Sequence, residues 1–363
     1  MTRTKDNKQW KYRPLSFAIF MAIVIVAGVV FQRGGLCHAL LKGYHVLNSI
    51  YTGSRIDNED ARFQIKRYIG GVNNSLKGQP FGLDRDTEHF IKGVWRNLTF
   101  KRTPIVVNSS MELFDFAVAV TVASSNHFEE FEHNIRNFSH RFPRVKVFFY
   151  DIGLEELQVI AVKKLPFVMY RKFNFAAYPN HVQNLLNYAW KLLIIQELIS
   201  EYDGVMWFDS SIVFTRDVSH FIPLMFTAKS GILFYLQIYS RMHSIRAATH
   251  PQMIKYFPAS EDGLLSDMLP GGCILVLNTA DVQQHILPWT TLCALHKNCI
   301  QPTGANKDCP RRIWGLPRNQ YANCHRFDQA LFSLVVGNLY GFELSRYRLN
   351  RTEAPAHVAH LLK

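Results

Sequence analysis

Apolar residues along most of this chain fall into two patterns, short continuous runs and longer stretches with helical spacing. The run at residues 205–208, VMWF, is too short for a helix and suits a strand buried on both faces. The stretch before it, residues 178–199, carries apolar residues mostly at helical spacing, with Asn180 as a candidate N-cap after Pro179. The pattern predicts a helix, a tight turn and a buried strand ending at Asp209.

The same alternation of runs and stripes continues on both sides of this unit. Strands are predicted at residues 114–122, 144–151, 167–170, 232–238 and 271–278. Helices are predicted at residues 128–138, 154–164, 217–226 and 281–296, and from residue 325 onward. Since strands alternate with helices over the first half, we expect an α/β fold with a mostly parallel, doubly wound sheet and helices on both faces.

Polar side chains follow two of the predicted strands. Asp209 follows one directly, and Ser124 and Asn126 follow the strand at residues 114–122. In open α/β sheets this carboxyl edge binds ligands, so Asp209 could hold a metal ion or the sugar of a nucleotide, and free amides near Ser124 could hold the nucleotide. A turn former at Asp209 and a plain helix cap at Ser124 or Asn126 are the ordinary alternatives. Neither a Gly-x-Gly-x-x-Gly nor a Gly-Lys-Ser/Thr motif is present.

This helix, turn and strand ending in a carboxylate resemble glycosyltransferases of the GT-A type, whose donor-binding motif is usually Asp-x-Asp. More narrowly, the segments NHVQNLLNYAWKLLIIQE, MWFDSSIVF and CHRFDQA resemble a nematode-expanded family of membrane-anchored proteins known chiefly as a domain of unknown function. The resemblance covers about residues 111–350. It implies a GT-A-like fold and the transfer of a sugar from a nucleotide-sugar donor.

The resemblance also implies a catalytic and metal-binding set. Asp209 is the candidate catalytic residue and metal ligand, and His325 resembles the late histidine that completes the metal site in several such families. Asp328 lies one helical turn beyond His325, could face the same cleft, and is the second catalytic candidate. The chain departs from the motif at Ser211, where the second acid is expected. Mn²⁺ or Mg²⁺ held by one carboxylate and a diphosphate is feasible, because these ions retain waters and bind phosphates.

Two basic residues are candidates for donor binding. Lys191 and Arg326 could meet the phosphates or the donor sugar, and Ser211 could contact the donor beside Asp209. Each has an ordinary alternative, since a lysine is often simply solvated and a single histidine such as His325 is more often a structural hydrogen-bonder. Glycines before the strand at residues 271–278 could admit a sugar close to the backbone, or could mark a bulge.

The N-terminal region predicts a membrane anchor. Residues 1–13 hold five basic residues and one acid, and residues 14–31 are uncharged and long enough to span a bilayer. A cleaved signal peptide is the alternative, although no small-x-small cleavage site follows. The charge bias places the N-terminus in the cytosol and the rest in the lumen. We expect a cytosolic tail (1–13), a signal anchor (14–31), a stem (32–110), a GT-A-like domain (111–350) and a C-terminal tail (351–363).

Acceptor motifs for N-glycosylation agree with a lumenal chain. They lie at Asn73, Asn97, Asn108, Asn137 and Asn350, none of them in the predicted cytosolic tail. A formal net charge of +13, and of +9 without the tail, suits anionic donors, acidic glycans or phosphate-bearing membranes, or serves solubility alone. A lumenal chain does not encounter nucleic acid, so we expect no nucleic-acid partner.

The six cysteines indicate an oxidising compartment. Four of them crowd into one loop-rich region and predict two disulfides in one of three pairings: Cys293, Cys299, Cys309 and Cys324. A zinc site is the rival, but no Cys-x-x-Cys pair is present. Cys273 lies inside a predicted strand as a buried thiol, and Cys37 either stays free or links two chains in a homodimer.

These patterns lead to one main expectation about function. The chain is expected to be a type II membrane glycosyltransferase of the Golgi or another secretory-pathway membrane, with a glycan or glycoprotein as acceptor. The alternative is a noncatalytic GT-A-like glycoprotein that binds a glycan or nucleotide, which Ser211 favours. No strand-loop-helix segment carries the basic and hydroxyl residues that a sulfotransferase needs for its donor.

Overall fold

The computed structural model describes residues 103–106, 113–217, 230–236, 242–349 and 354–359. Several predictions lie outside these residues: the membrane anchor, the stem, nearly all of the helix at 217–226, Cys37, and the acceptor sites at Asn73, Asn97, Asn108 and Asn350. Within the described ranges, no helix combines the length and hydropathy needed to cross a bilayer.

The described residues form an alternating series of strands and helices. The strands are β1 (Ala117–Ala123), β2 (Val147–Asp151), β3 (Val168–Lys172), β4 (Gly204–Phe208), β5 (Ile212–Phe214), β6 (Ile232–Phe234), β7 (Cys273–Leu277) and β8 (Ala356–Val358). The helices are α1 (Leu113–Phe116), α2 (Phe128–Arg141), α3 (Glu156–Lys163), α4 (Ala189–Glu201), α5 (Pro251–Tyr256), α6 (Glu261–Leu264), α7 (Leu287–Leu295), α8 (Lys297–Ile300) and α9 (Phe327–Leu339). The predicted α/β class is confirmed.

Six strands form one mixed sheet in the order β3-β2-β1-β4-β7-β6. The first four are parallel, β7 runs antiparallel to β4, and β6 runs antiparallel to β7. β5 and β8 form a separate antiparallel pair. The predicted mostly parallel sheet is therefore present, with an antiparallel strand inserted beside β4.

Both faces of the large sheet are covered. On one face Val118, Val120 and Trp207 pack into a cluster that includes buried residues of α4, α7 and α9. On the other face Met206 and Phe208 pack against α2, where the ring of Phe138 stacks on Phe208 with centroids 4.6 Å apart. Because successive strand residues point to opposite faces, an all-apolar run is what a strand covered on both sides requires.

The predicted helix at residues 178–199 is wrong in its first half. The chain there forms two 3₁₀ turns, Asn180–Gln183 and Leu185–Asn187, and α4 begins only at Ala189. Fully buried Asn187 accepts a hydrogen bond from the Ala189 N–H and donates to the His181 carbonyl, and Tyr188 adopts a left-handed φ of 55°. Local side-chain hydrogen bonds have displaced the α-helical ones. The N-cap position of the first turn is occupied by Pro179 and not by Asn180.

Other boundaries shift by smaller amounts. The predicted strand at residues 114–122 opens instead as α1, and the predicted helix at 281–296 starts as a π-helix over Val282–Ile286 before α7. The disulfides are Cys293–Cys299 and Cys309–Cys324, and Cys273 is a buried free thiol. Two bridges among these four cysteines were predicted, and the structure selects the pairing.

Candidate functional site

The order of the strands creates a crevice between β1 and β4. From β1 the chain moves outward to β2 and β3, then returns to β4 on the other side of β1. Ligands in open α/β sheets bind outside the carboxyl ends of strands at such a reversal. The residues that leave these two strands at that edge are Ser124 after β1 and Asp209 after β4.

The side chain of Asp209 continues the alternation of β4. Two residues after Trp207, it lies on the same face of the sheet, which is the face covered by α4 and α9. The Trp207 indole N–H donates to Asp209 Oδ1 at 2.8 Å. The Asp209 side chain remains 38% exposed. A buried indole thus fixes the orientation of a carboxylate that still reaches solvent.

A fully buried lysine lies beneath this carboxylate. Lys191 Nζ, on the first turn of α4, is 2.7 Å from Asp328 Oδ2 and 3.2 Å from Asp209 Oδ1. It also donates to the Gly271 carbonyl at 3.2 Å, and lies 5.3 Å from the ring centroids of Tyr188 and Trp207. The lysine side chain is 2% exposed and that of Asp328 is 4% exposed. The ammonium is therefore surrounded by oxygens and aromatic faces, and almost none of the side chain is exposed.

The charges of this cluster depend on one another. Burial acts to lower the pKa of Lys191, but the attraction of Asp209 and Asp328 is stronger and holds that pKa above the ordinary range. Burial raises the pKa of Asp328, and the attraction of Lys191 offsets this only in part. Removing one member of a buried pair commonly costs about 3–5 kcal/mol, because the other charge is left without a partner.

Gly271 makes room for this pairing. A Cβ atom at this position would lie 2.8 Å from Asp328 Oδ2 and 3.0 Å from a carbon of Gln329. At Gly272 the nearest atoms belong to Leu236, Ile212 and Asp209. The space beside the glycines before β7 is thus occupied by side chains of the protein, including Asp328 and Asp209, and not left open for a sugar.

Two residues at the site have left-handed backbone conformations. Tyr188 has a φ of 55° and Phe327 a φ of 30°, and neither is a glycine. They stand immediately before and at the start of α4 and α9, the helices that carry Lys191 and Asp328. Such conformations cost about 1–3 kcal/mol each and cluster at functional sites. The strained backbone thus lies at the N-termini of the two helices that supply the buried ion pair.

A cavity of about 180 Å³ opens above the cluster. Its walls are formed by Tyr188, Lys191, Asp209, Lys307, Asp308, His325, Arg326, Phe327, Asp328 and Gln329. Arg326 is exposed and its guanidinium has no hydrogen bond or ion pair with the residues described, while Lys307 pairs with Asp308 at 2.9 Å. The cavity is therefore lined by three carboxylates and three cationic groups, of which Asp328 and Lys191 are paired with each other and buried.

The structure gives His325 a different environment from the one predicted. It is fully buried; its Nδ1 accepts from the His250 N–H at 3.2 Å, and its Nε2 lies 3.2 Å from the Ile300 carbonyl. Both ring nitrogens thus have backbone partners, so in this arrangement neither has a lone pair for a cation. His325 lies before α9 and not within it, so it does not share a helical face with Asp328.

The donor set fits a protein-held divalent cation poorly. Within the described ranges no cluster of three or more His, Cys, Asp or Glu side chains is arranged to bind a metal. At the strand end only Asp209 offers a carboxylate, and its Oδ1 already accepts from Trp207 and faces Lys191. A Mn²⁺ or Mg²⁺ ion here would depend on one carboxylate oxygen, waters and the ligand's phosphates.

The remaining predicted residues lie near the crevice without lining the cavity. Ser124 Oγ donates to Asn126 Oδ1 at 2.6 Å, just after β1. The Ser211 carbonyl accepts from the Ala359 N–H at 2.8 Å, which ties the turn after Asp209 to the end of β8. Lys191, another donor-binding candidate, does line the cavity, and its ammonium is paired with the two carboxylates.

Sequence reasoning missed several residues of the site. Trp207 was interpreted only as a core residue, although its two-residue separation from Asp209 places both on one face. Tyr188, Phe327 and Gln329 lie inside the segments that carry the resemblance but have no chemical signal of their own, and Lys307 and Asp308 belong to no motif. Tertiary packing brings all five to the cavity.

Replacing His325 with asparagine is expected to flatten the pH dependence of stability. Burial lowers the pKa of His325 to about 3, against about 6.5 in the unfolded chain. Between these pH values the unfolded chain binds a proton at His325 that the folded chain does not bind. The contribution of His325 to the free energy of unfolding is therefore complete above pH 6.5 and falls by about 1.4 kcal/mol per pH unit as the pH drops. The unfolding free energy of wild type should fall more steeply than that of His325→Asn between pH 7 and 5.

A matched control is the exposed His140, replaced in the same way. The His140→Asn slope should equal that of wild type. If His325→Asn keeps the full wild-type slope, the buried neutral state of His325 is contradicted.

Comparisons with known proteins agree with the sequence resemblance. Residues 97–196 match a family described as "Protein of unknown function (DUF1647)". No curated protein matches the chain. Similar solved structures include the galactosyltransferase LgtC with donor and acceptor sugar analogues, which is 14% identical over 66% of this chain and 86% of that one, with a TM-score of 0.37.

Two further solved structures are also glycosyltransferases. The mannosyltransferase Ktr4p from S. cerevisiae in complex with GDP is 10% identical over 75% of this chain and 81% of that one, with a TM-score of 0.40. Core-mannan synthase A from Aspergillus fumigatus, in an Mn/GDP form, is 10% identical over 65% and 73%, with a TM-score of 0.39. At this distance no residue role is transferred from these proteins.

Proposed function

We propose that this chain transfers a sugar from a nucleotide-sugar donor to a glycan or glycoprotein acceptor. The observation that carries the proposal is the carboxylate of Asp209. It stands partly exposed at the carboxyl end of β4, next to β1, and is fixed by Trp207 and Lys191. It opens onto a cavity that also presents Lys307 and Arg326. A ligand that joins hydroxyl groups to a negative charge, such as a sugar attached to a diphosphate, matches this combination of a carboxylate and cations.

The chemistry places definite demands on the site. In glycosyl transfer the bond from the anomeric carbon to the diphosphate oxygen breaks, a bond to an acceptor hydroxyl oxygen forms, and the hydroxyl proton is released. The leaving diphosphate keeps the electron pair, so negative charge develops on it. Arg326 and Lys307 are the cations placed to stabilise that charge. Asp209 is placed to accept hydrogen bonds from hydroxyl groups of the donor.

The size of the cavity suggests how a donor would be arranged. Pockets for whole drug-sized ligands have volumes of about 300–1,000 Å³. A volume of about 180 Å³ suits the sugar and adjoining phosphate only. The nucleoside would then extend along the edge of β1 toward Ser124 and Asn126. A divalent ion, if bound with the donor, would add positive charge at the diphosphate.

The second candidate function is a noncatalytic binding glycoprotein. Two observations favour it: Ser211 stands in place of a second acid, and both ring nitrogens of His325 are engaged by backbone groups. Asp328 is likewise committed to Lys191, which leaves its predicted catalytic role to be tested by mutation. Binding without turnover is the distinguishing property of this alternative.

The two candidates separate in one experiment on the full-length protein in detergent. Thermal shift and hydrolysis would be measured with UDP-, GDP- and CMP-sugars, each with and without Mn²⁺. Stabilisation with release of the nucleotide supports the transferase. Stabilisation without release, even in the presence of mixed glycan acceptors, supports the binding protein. No stabilisation by any nucleotide sugar contradicts both nucleotide-sugar proposals.

We further propose that the chain is a single-pass type II protein of the Golgi or another secretory-pathway membrane. The support is the uncharged run at residues 14–31 behind a basic tail, together with the disulfides Cys293–Cys299 and Cys309–Cys324. Disulfides of this kind persist where the compartment is oxidising. A homodimer linked through Cys37 remains part of this proposal.

Removal of N-glycans is expected to speed up the migration of the protein on a gel. Asn137 differs from the other acceptor sites, because it lies within α2 and its Oδ1 accepts from the Phe214 N–H at 3.0 Å. The glycans should therefore lie on some of Asn73, Asn97, Asn108 and Asn350, and site mapping by mass spectrometry should find Asn137 bare. Unchanged mobility, or a mature N-terminus after residue 31, would contradict the signal anchor.

A further inference from the structure

A disulfide-closed loop begins and ends beside the residues of the cavity wall. We call residues Cys309 to Cys324 the lobe, since the disulfide between them closes its base. Lys307 and Asp308 line the cavity just before the lobe, and Arg326 lines it just after. Both ends of the lobe thus adjoin the wall of the proposed transfer site.

The lobe is fixed in position by its own residues. Ile313 is buried. The Arg318 guanidinium donates to the carbonyls of Leu265 and Met242, at 2.8 and 3.3 Å, and to Asp267 Oδ1 at 2.8 Å. A surface held in this way loses little conformational freedom when it binds a ligand.

Charge on the lobe is entirely positive. It contains three arginines and no carboxylate. Arg318 is used for anchoring, whereas Arg311 and Arg312 are exposed and their guanidinium groups form no hydrogen bond or ion pair within the part of the chain that the structure describes. A guanidinium presents a planar set of donors that matches carboxylate and sulfate oxygens in pairs. The lobe is therefore suited to an anion with such groups.

An aromatic side chain stands beside these arginines. Trp314 is 49% exposed and is the only aromatic residue among the large, exposed apolar side chains of the described ranges. It lies in the 3₁₀ turn Ile313–Gly315, two positions after Arg312. Tryptophan and arginine are among the residues enriched in binding hot spots. The indole offers a flat apolar surface on which the C–H face of a sugar ring can pack.

We propose that the lobe binds the acceptor, and that the acceptor is an anionic oligosaccharide carrying carboxylate or sulfate groups. The choice of a glycan rests on the proposed function, since an acceptor must present a hydroxyl to the cavity, and the residues on both sides of the lobe line that cavity. The anionic character rests on the unpaired Arg311 and Arg312, and the sugar-ring contact on Trp314.

The test measures oligosaccharide binding by the full-length protein in detergent. Three tetrasaccharides of equal length are compared: one with carboxylates and sulfates, one with carboxylates only, and one neutral. Arg311→Gln/Arg312→Gln and Trp314→Ala are each expected to weaken binding of the anionic sugars by about tenfold or more, because charge-assisted hydrogen bonds and aromatic anchors contribute at that level.

Matched controls are available on the same chain. Arg136→Gln/Arg141→Gln removes two exposed arginines of α2 with the same change in net charge, and Leu157→Ala removes an exposed apolar side chain. Neither should change binding. Loss of stabilisation by nucleotide sugars with retained tetrasaccharide binding identifies failure of the donor site, and the reverse result identifies failure of the lobe.

Three results would overturn the proposal. The first is equal affinity for the neutral and anionic tetrasaccharides. The second is a loss in Arg311→Gln/Arg312→Gln no greater than in the α2 control. The third is binding to vesicles with anionic phospholipid but to none of the sugars, which would identify the lobe as a membrane contact. Tetrasaccharide binding in a protein that binds no nucleotide sugar would support the lobe site and contradict the transferase alone.

Discussion

Asp209→Asn is expected to lower glycosyl transfer by about 10²–10³-fold, the usual cost of removing a preorganised electrostatic contact. Asparagine keeps the size of the side chain and an oxygen that can still accept from the Trp207 indole, but it removes the charge. Lys191 keeps Asp328 as its partner at 2.7 Å. The melting temperature should therefore change by only a few degrees, and donor affinity should fall at matched stability.

The control for this variant is Asp308→Asn, which removes another carboxylate from the cavity wall. Asp308 is exposed and pairs with Lys307, away from the strand end. Its substitution should leave transfer within a few fold of wild type. Equal donor affinity for wild type and Asp209→Asn, with and without Mn²⁺, would remove Asp209 from the site and favour the binding-protein alternative.

Lys191→Met is expected to have the largest effect on stability, lowering the free energy of unfolding by about 3–5 kcal/mol. The substitution leaves Asp328, with a 4% exposed side chain, without its cation. For a domain of this size the melting temperature should drop by about 10 °C. Chemical denaturation monitored by tryptophan fluorescence would measure the loss.

A double variant separates the structural role of this pair from its role in function. Lys191→Met/Asp328→Val removes both charges, and replacing a buried ion pair with apolar side chains is commonly neutral or stabilising. Stability should therefore recover. Transfer should stay low, by about 10²-fold or more, because Asp209 has lost the cation 3.2 Å from its Oδ1. A stable double variant with full activity would show that the pair serves folding alone.

Much of the sheet could be predicted from local sequence. The runs at residues 205–208 and 273–277 are strands because both of their faces are buried, which admits only apolar residues. The stripe at residues 128–138 is a helix because its apolar side chains line one face. Asp209 stood out because a charge ends such a run abruptly.

The segment at residues 178–188 shows where local periodicity failed. Its apolar spacing is helical, yet Asn184 and Asn187 bind nearby backbone groups and hold two 3₁₀ turns. Asn187 is fully buried and also donates to Gln301, a residue 114 positions away. The competition between a helix and these turns is decided by that distant contact, which no window of local sequence contains.

The sequence by itself determined the α/β class, the strand that ends at Asp209, and the cysteine-rich loop that carries two disulfides. These features follow from hydrophobic burial and from residue types, which act within a few positions along the chain. The tertiary structure alone decided that Lys191 pairs with Asp328, that Trp207 fixes Asp209, and that His325 is engaged by backbone groups. Lys191 and Asp328 are 137 positions apart, and only the packing of α4 against α9 removes water from between them. The strength of such a contact depends on its desolvation, which exists only once the fold is complete.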